Sequence, residues 1–179
     1  ASIWEAWAIE ANAKPWPWNR NKKNQGSKKK AFTLNAGTNL TKELSPMIAK
    51  KPFEVEVHIE KQGEGVLVAQ GGDTHGWVLF VKDNIAHFSL SLGGKVETVK
   101  AKEKLAEKDG KVLATLNSKG IVELSSGRRT LGNGKVSSLV KEMPIDGLQV
   151  GRDEGGTVGD YKDAFAFDGK IKKVRIKIN

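Results

Sequence analysis

Glu54-Val55-Glu56-Val57-His58-Ile59-Glu60 sets acidic residues at alternating positions. In a strand, that spacing holds successive carboxylates about 7 Å apart on one face, near the separations that retaining or inverting glycoside hydrolysis uses. No Trp or Tyr lies in the segment to stack a sugar, so a solvent face balancing nearby lysines is the plainer reading and a jelly-roll glycoside hydrolase the weaker one. His58, His75 and His87 fall on separate segments without metal-ligand spacing, and Asp153, Asp160 and Asp163 are not spaced as a calcium loop. Neither a metal nor a cofactor is expected. His75 stands in the Gly-rich turn at residues 71–76, beside Asp73 and just before Trp77. Such a turn can present polar groups to a ligand while the indole fills the core. Gly151-Arg152-Asp153 followed by Gly155-Gly156 is not a phosphate loop, because no Lys-Ser/Thr follows and no helix begins there. Arg152 and Asp153 either pin this loop or meet a ligand. The candidate ligand-binding residues are therefore His75, Arg152 and Tyr161, and no catalytic residue stands out.

The elements that must position these groups read as two unlike parts. Ile3, Trp4, Trp7, Ala8 and Ala11 have helical spacing, and Pro15 closes the pattern. An amphipathic helix over residues 3–13 follows, with too much aromatic surface to leave in water. Pro15-Trp16-Pro17-Trp18 then holds the chain extended, and the Asn/Lys/Gly/Ser stretch after it reads as a linker. We divide the chain into an arm, residues 1–30, and a β-domain, residues 31–179. In the arm Trp4, Trp7, Trp16 and Trp18 form a candidate interface, either with a partner or folded back on the β-domain.

After residue 31 the period is alternating. Phe53, Val55, Val57 and Ile59 face one way and the acidic residues between them the other. Further strands are expected at residues 65–70, 76–82, 86–92, 96–100, 111–117, 121–125, 148–151 and 170–177, separated by Gly, Asn and Asp turns. Residues 103–108 have room for one helical turn. Short strands at this spacing predict an all-β, two-sheet antiparallel sandwich.

The chain of 179 residues has no cysteine, which removes disulfides, thiolate ligands and a cysteine nucleophile, and no apolar run long enough to span a membrane. It begins at Ala1 as if cut from something longer. A net charge of +9 attracts polyanions without choosing among them. Arg20, Lys22, Lys23, Lys28, Lys29 and Lys30 crowd the linker, whereas Lys170, Lys172, Lys173, Arg175 and Lys177 alternate with Ile171, Val174, Ile176 and Ile178, as on a strand with one wet face. A basic groove interleaved with stacking aromatics, as nucleic acid would need, occurs only at Trp16 to Lys23. Nucleic acid and membrane are not expected partners.

Three stretches resemble the C-terminal region of bacterial arylsulfatases. They are Trp4-Glu5-Ala6-Trp7-Ala8 running to Pro15-Trp16-Pro17-Trp18; Gly65-Val66-Leu67-Val68-Ala69-Gln70-Gly71-Gly72 followed by Gly76-Trp77-Val78-Leu79-Phe80-Val81-Lys82-Asp83; and Val150-Gly151-Arg152-Asp153-Glu154-Gly155-Gly156 with Tyr161, then Phe165-Ala166-Phe167-Asp168-Gly169-Lys170-Ile171. The resemblance implies a concanavalin A-like or laminin-G-like jelly roll behind a sulfatase catalytic domain, in a periplasmic or secreted protein. Enzymes of that type place a Cys or Ser, modified to formylglycine, two residues before a Pro. Here those positions hold Ala13, Pro15, Leu44, Lys50 and Glu142, and no Asp-Asp pair exists for the family's calcium site. The chain alone is thus expected to be non-catalytic. Its expected role is that of an accessory domain of an arylsulfatase; the alternative is a carbohydrate-binding module for an anionic, sulfated glycan.

Overall fold

The computed structural model describes residues 26–162 and 164–179. The proposed N-terminal helix and Trp4, Trp7, Trp16 and Trp18 lie outside the described residues. The alternating pattern becomes β1 (Ala31–Leu34), β2 (Asn39–Leu40), β3 (Phe53–Lys61), β4 (Gly65–Gly71), β5 (His75–Lys82), β6 (Ile85–Leu92), β7 (Lys95–Lys100), β8 (Lys111–Leu116), β9 (Ile121–Ser126), β10 (Arg129–Lys135), β11 (Leu148–Val150) and β12 (Lys170–Ile178). They form two six-stranded sheets, in the orders β1-β12-β3-β8-β9-β10 and β2-β11-β4-β5-β6-β7. All the named strand pairs are antiparallel. The fold is a two-sheet jelly roll. Among the described residues no helix is long and apolar enough to cross a membrane.

The core lies between the sheets. Phe53, Val55, Val57 and Ile59 of β3 are buried as their alternation requires, and they face Trp77, Leu79 and Val81 of β5 and Phe88 and Leu90 of β6 in one cluster. The largest side chains meet in an aromatic group: the Trp77 ring centroid is 5.1 Å from that of Phe53 and 6.1 Å from that of Phe88. Burying an indole strands its N–H, and Gln70, paired directly opposite on β4, accepts it through Oε1 at 3.3 Å. Gln70 in turn donates to the Pro46 carbonyl at 2.8 Å.

Two hairpins follow local chemistry. Asp83 and Asn84, at φ 56° and 59°, join Lys82 to Ile85, and Gly93 and Gly94, at φ 65° and 82°, join Leu92 to Lys95. Two successive left-handed residues make the tight turn whose twist suits antiparallel strands. β12 carries bulges around Ile171, which is why Ile171 and Val174, three apart, both point inward.

Residues 103–108 form no helix. Their donors are spent elsewhere: the N–H groups of Lys102 and Glu103 go to the Leu131 carbonyl, and that of Leu105 goes to the Asn84 carbonyl. The strand β10 is an addition to the expected set, because Gly132-Asn133-Gly134 reads as a turn. A Cβ at Gly132 would come within 2.9 Å of the Lys102 backbone nitrogen, and one at Gly134 within 2.9 Å of the Val99 methyls. The glycines let an edge strand of one sheet close against the other.

Candidate functional site

Strands β4, β5 and β6 are buried on both faces, so something covers the side away from the core. Over β4 and β5 that cover is the segment of residues 151–162 and 164–167. Its anchors are hydrogen bonds from the Gly151 N–H to the Leu67 carbonyl (3.0 Å) and from the Val66 N–H to the Phe165 carbonyl (2.8 Å). Gly65 lets it approach: at φ 120°, a Cβ there would lie 2.5 Å from the Ala166 carbonyl oxygen. Tyr161 and Phe165 pack with Val66, Ala69, Val78, Phe80 and Val158 in a second apolar cluster beneath it. The strap is pinned by Asp153, which is only 3% exposed. Its Oδ2 accepts the Val158 N–H at 3.1 Å and the Tyr161 hydroxyl. Burial pushes this carboxyl above the usual range against the pull of those two donors. Burial beside Asp153 likewise raises the Tyr161 phenol. Tyr161→Phe removes one of the two donors, and a loss of about 1–2 kcal/mol in urea denaturation is expected. An unchanged midpoint would show that this bond does not hold the strap.

The strap leaves the β6–β7 part of the face open. Register places Phe80, His87 and Lys100 in one row across β5, β6 and β7, and Val78, Ser89 and Thr98 in the next. At Phe80, His87, Thr98 and Lys100 is a cleft of about 390 Å³, lined also by Lys82, Asp83, Val96 and Asp160, within the size range of small-ligand sites. The His87 imidazole stacks on Phe80 with centroids 4.7 Å apart and planes at 28°. The Tyr161 ring meets Phe80 edge-on at 5.0 Å. The Ser89 and Thr98 hydroxyls share a hydrogen bond of 2.7 Å. Lys82 Nζ is 3.5 Å from the Asp160 carbonyl. Burial, then the charges of Lys100 and Lys82, push His87 down to about 4, against smaller opposing contributions from Asp83 and a hydrogen bond with the Lys82 backbone. At neutral pH the cleft therefore sets a neutral imidazole and an aromatic floor among the side chains of Lys82, Lys100, Asp83 and Asp160.

None of the sequence candidates lines this cleft. His75 lines a different cavity, of about 340 Å³, at the turn of residues 72–75, beside Asp73, Glu142 and Asp146. Those carboxylates give it the wrong sign for an anionic sugar. Arg152 pairs with Glu154 at 3.3 Å. Tyr161 supports the open cleft from behind through Phe80. His87, Lys82 and Lys100 are not among the sequence candidates. Their only local signal is the alternation of β6, and the row they form depends on strand pairing.

The acidic face of β3 is fully matched with cations. Glu54 lies 3.8 Å from Lys177, Glu56 lies 3.5 Å from both Lys111 and Arg175, and Glu60 lies 2.8 Å from Lys170. Partial burial pushes the Glu56 carboxyl up, but His58 and Lys111 outweigh it and hold the group below its usual value. Lys170 similarly lowers Glu60. A glycosidase acid needs a raised carboxyl, and neither group supplies one. Among the described residues no cluster of His, Asp or Glu is arranged to hold a metal ion.

No family model matches the sequence, and no curated protein does either. Solved structures do match in fold. The CBM40 domain of the Ruminococcus gnavus IT-sialidase, solved bound to alpha2,6 sialyllactose, superposes with a TM-score of 0.53 at 12% identity, over 83% of this chain and 90% of that one. A NanB sialidase from Streptococcus pneumoniae gives 0.59 at 12% identity, over 83% of this chain and 25% of that much longer one. Domains LG4-5 of the mouse laminin alpha1 chain give 0.56 at 15% identity, over 87% of this chain and 43% of that one. These likenesses establish the jelly-roll fold.

Proposed function

We propose that this chain is a non-catalytic carbohydrate-binding module whose open cleft over β5, β6 and β7 takes an anionic sugar. The observation that carries the reading is the pairing of Lys82 and Lys100 around a His87–Phe80 floor, in a cleft where neither lysine forms an ion pair with another described residue. The two ammonium groups meet the acid group of the sugar, Thr98 and the neutral imidazole bond its hydroxyls, and the Asp83 carboxylate accepts from one more. The jelly-roll domain solved with sialyllactose supports the same reading through its fold and its ligand. Carriage of this module by a sulfatase is a separate proposal. It rests on the three sequence stretches quoted above, and none of the proteins just named is a sulfatase. A periplasmic or secreted location belongs with it.

Calorimetric titration with 3′-sialyllactose, a sulfated disaccharide and neutral lactose tests the cleft. Binding of at least one acidic sugar and none of lactose is expected. Lys82→Ala/Lys100→Ala should weaken it about ten-fold or more, or about 1.4 kcal/mol. Lys172→Ala, on the opposite sheet, should leave it intact. Absence of binding to both acidic sugars, or an equal loss in Lys172→Ala, would overturn the assignment.

A further inference from the structure

The geometry points to an intramolecular docking site: the cavity formed by the turn at residues 72–75 and by residues 142–146 receives the Trp16-Pro17-Trp18 segment of this same chain. This goes beyond the glycan reading and uses a different face of the molecule. Three observations carry it.

First, the arm enters the described structure at this place. The Ser27 N–H donates to the Ser45 carbonyl at 2.7 Å, and Ser27 bridges to Pro46 in parallel. A Cβ on Gly26 would stand 2.7 Å from the Met143 Cε. The chain therefore arrives already seated between Ser45 and Met143, and Met143 lines the cavity. Trp18 is eight residues before Gly26, a reach of roughly 25 Å when extended, ample to lay the indoles back over the opening.

Second, the surroundings carry uncovered apolar surface. Ile145 is 85% exposed and Leu44 60%, the two most exposed large apolar side chains among the described residues. One follows Met143 by two positions and the other directly precedes Ser45, so they flank the entry point. Trp16 and Trp18 supply matching aromatic area.

Third, the charges are complementary. Asp73, Glu142 and Asp146 line or rim the cavity, and none forms an ion pair with another described residue. The stretch between Trp18 and Gly26 carries Arg20, Lys22 and Lys23 and no acid. Ammonium and guanidinium groups placed there would neutralise the acidic rim as the indoles cover Ile145.

Trypsin cleaves after Arg20, Lys22 and Lys23, so timed digestion of the full chain, with fragments weighed by mass spectrometry, reads the docked fraction. Glu142 and Ile145 are both exposed, and Glu142→Lys/Ile145→Asp should leave the fold intact, as a melting curve would check. Cleavage at the three arm sites is expected to be about ten-fold faster in this variant than in the parent chain, the ratio for a segment open about one-tenth of the time. The single change Glu142→Lys and added salt should each give part of that acceleration. Equal cleavage rates in parent and variant would overturn the proposal. Protection that grows with protein concentration would overturn it too, since the face would then be covered by a second copy.

Discussion

Trp77→Ala is expected to cost about 3–5 kcal/mol of folding stability, the range for truncating a large core aromatic. The indole is fully buried and lies at the contact of the two sheets, against Phe53 of β3 and Phe88 of β6. Its removal leaves a void bordered by side chains from three strands whose backbones are held in ladders and cannot all move inward. It also takes away the N–H that Gln70 accepts, leaving one amide oxygen unpaired in a dry site. Trp77→Phe keeps most of the ring volume and loses the donor, so a smaller loss of about 1–2 kcal/mol is expected from it. The measurement is the urea midpoint at constant m-value. A loss under about 1 kcal/mol for Trp77→Ala would mean that the sheets close over the gap and that the aromatic group is not the centre of the core.

Trp77 also belongs to the part of the fold that is legible in the amino-acid sequence. It follows a glycine-rich turn and stands in the apolar run Trp77-Val78-Leu79-Phe80-Val81, which marks a buried strand, while alternation directs Phe53, Val55, Val57 and Ile59 inward. The Asp83-Asn84 hairpin is legible for the same reason: two residues tolerant of a left-handed backbone sit between two strand patterns. Each of these depends on neighbours along the chain. The β10 strand is not legible, because Gly132 and Gly134 are there for an approach to Val99 and Lys102 from the other sheet, and a contact of that kind leaves only a turn-like composition behind. The double burial of β4 and β5 depends on a strap some eighty residues later in the chain.

The candidate site divides along the same line. Local loop chemistry points to His75, Arg152 and Tyr161, and none of them lines the cleft. Phe80, His87 and Lys100 form a row only because two hairpins pair in the register they do. Lys100 closes an edge strand, where a lysine is ordinarily explained by protection of the edge. The plain reading of each residue hides the row.

Acidification from pH 7 to pH 5 is expected to cost the protein about 2 kcal/mol through His87 alone, and His87→Gln should abolish that part of the loss. The folded imidazole titrates at about 4, held down first by burial and then by the Lys100 and Lys82 charges. In the unfolded chain its ordinary value is 6.5. As the pH falls below 6.5 the unfolded state takes up a proton that the folded state refuses, so stability is greatest above 6.5 and declines until the folded pKa near 4 is reached, for a total of about 3 kcal/mol. Glu56, Glu60, Glu97 and Asp109 are all lowered from their ordinary values of 4.5, 4.5, 4.5 and 3.8, so their losses set in at the acid end and overlap little with the interval from 7 to 5. The groups that face His87 are Lys82, Lys100 and Asp83. Only the first two oppose its charge, and an anion bound between them would reverse that opposition. A saturating acidic sugar should therefore raise the His87 pKa and shrink the acid loss, and by linkage the sugar should bind more tightly at pH 5 than at pH 7. Urea midpoints at both pH values, for the parent chain and His87→Gln, with and without ligand, resolve the two effects. Parallel declines in the two proteins would remove His87 from the account of acid sensitivity, and a ligand that leaves the parent's decline unchanged would place its binding outside this cleft.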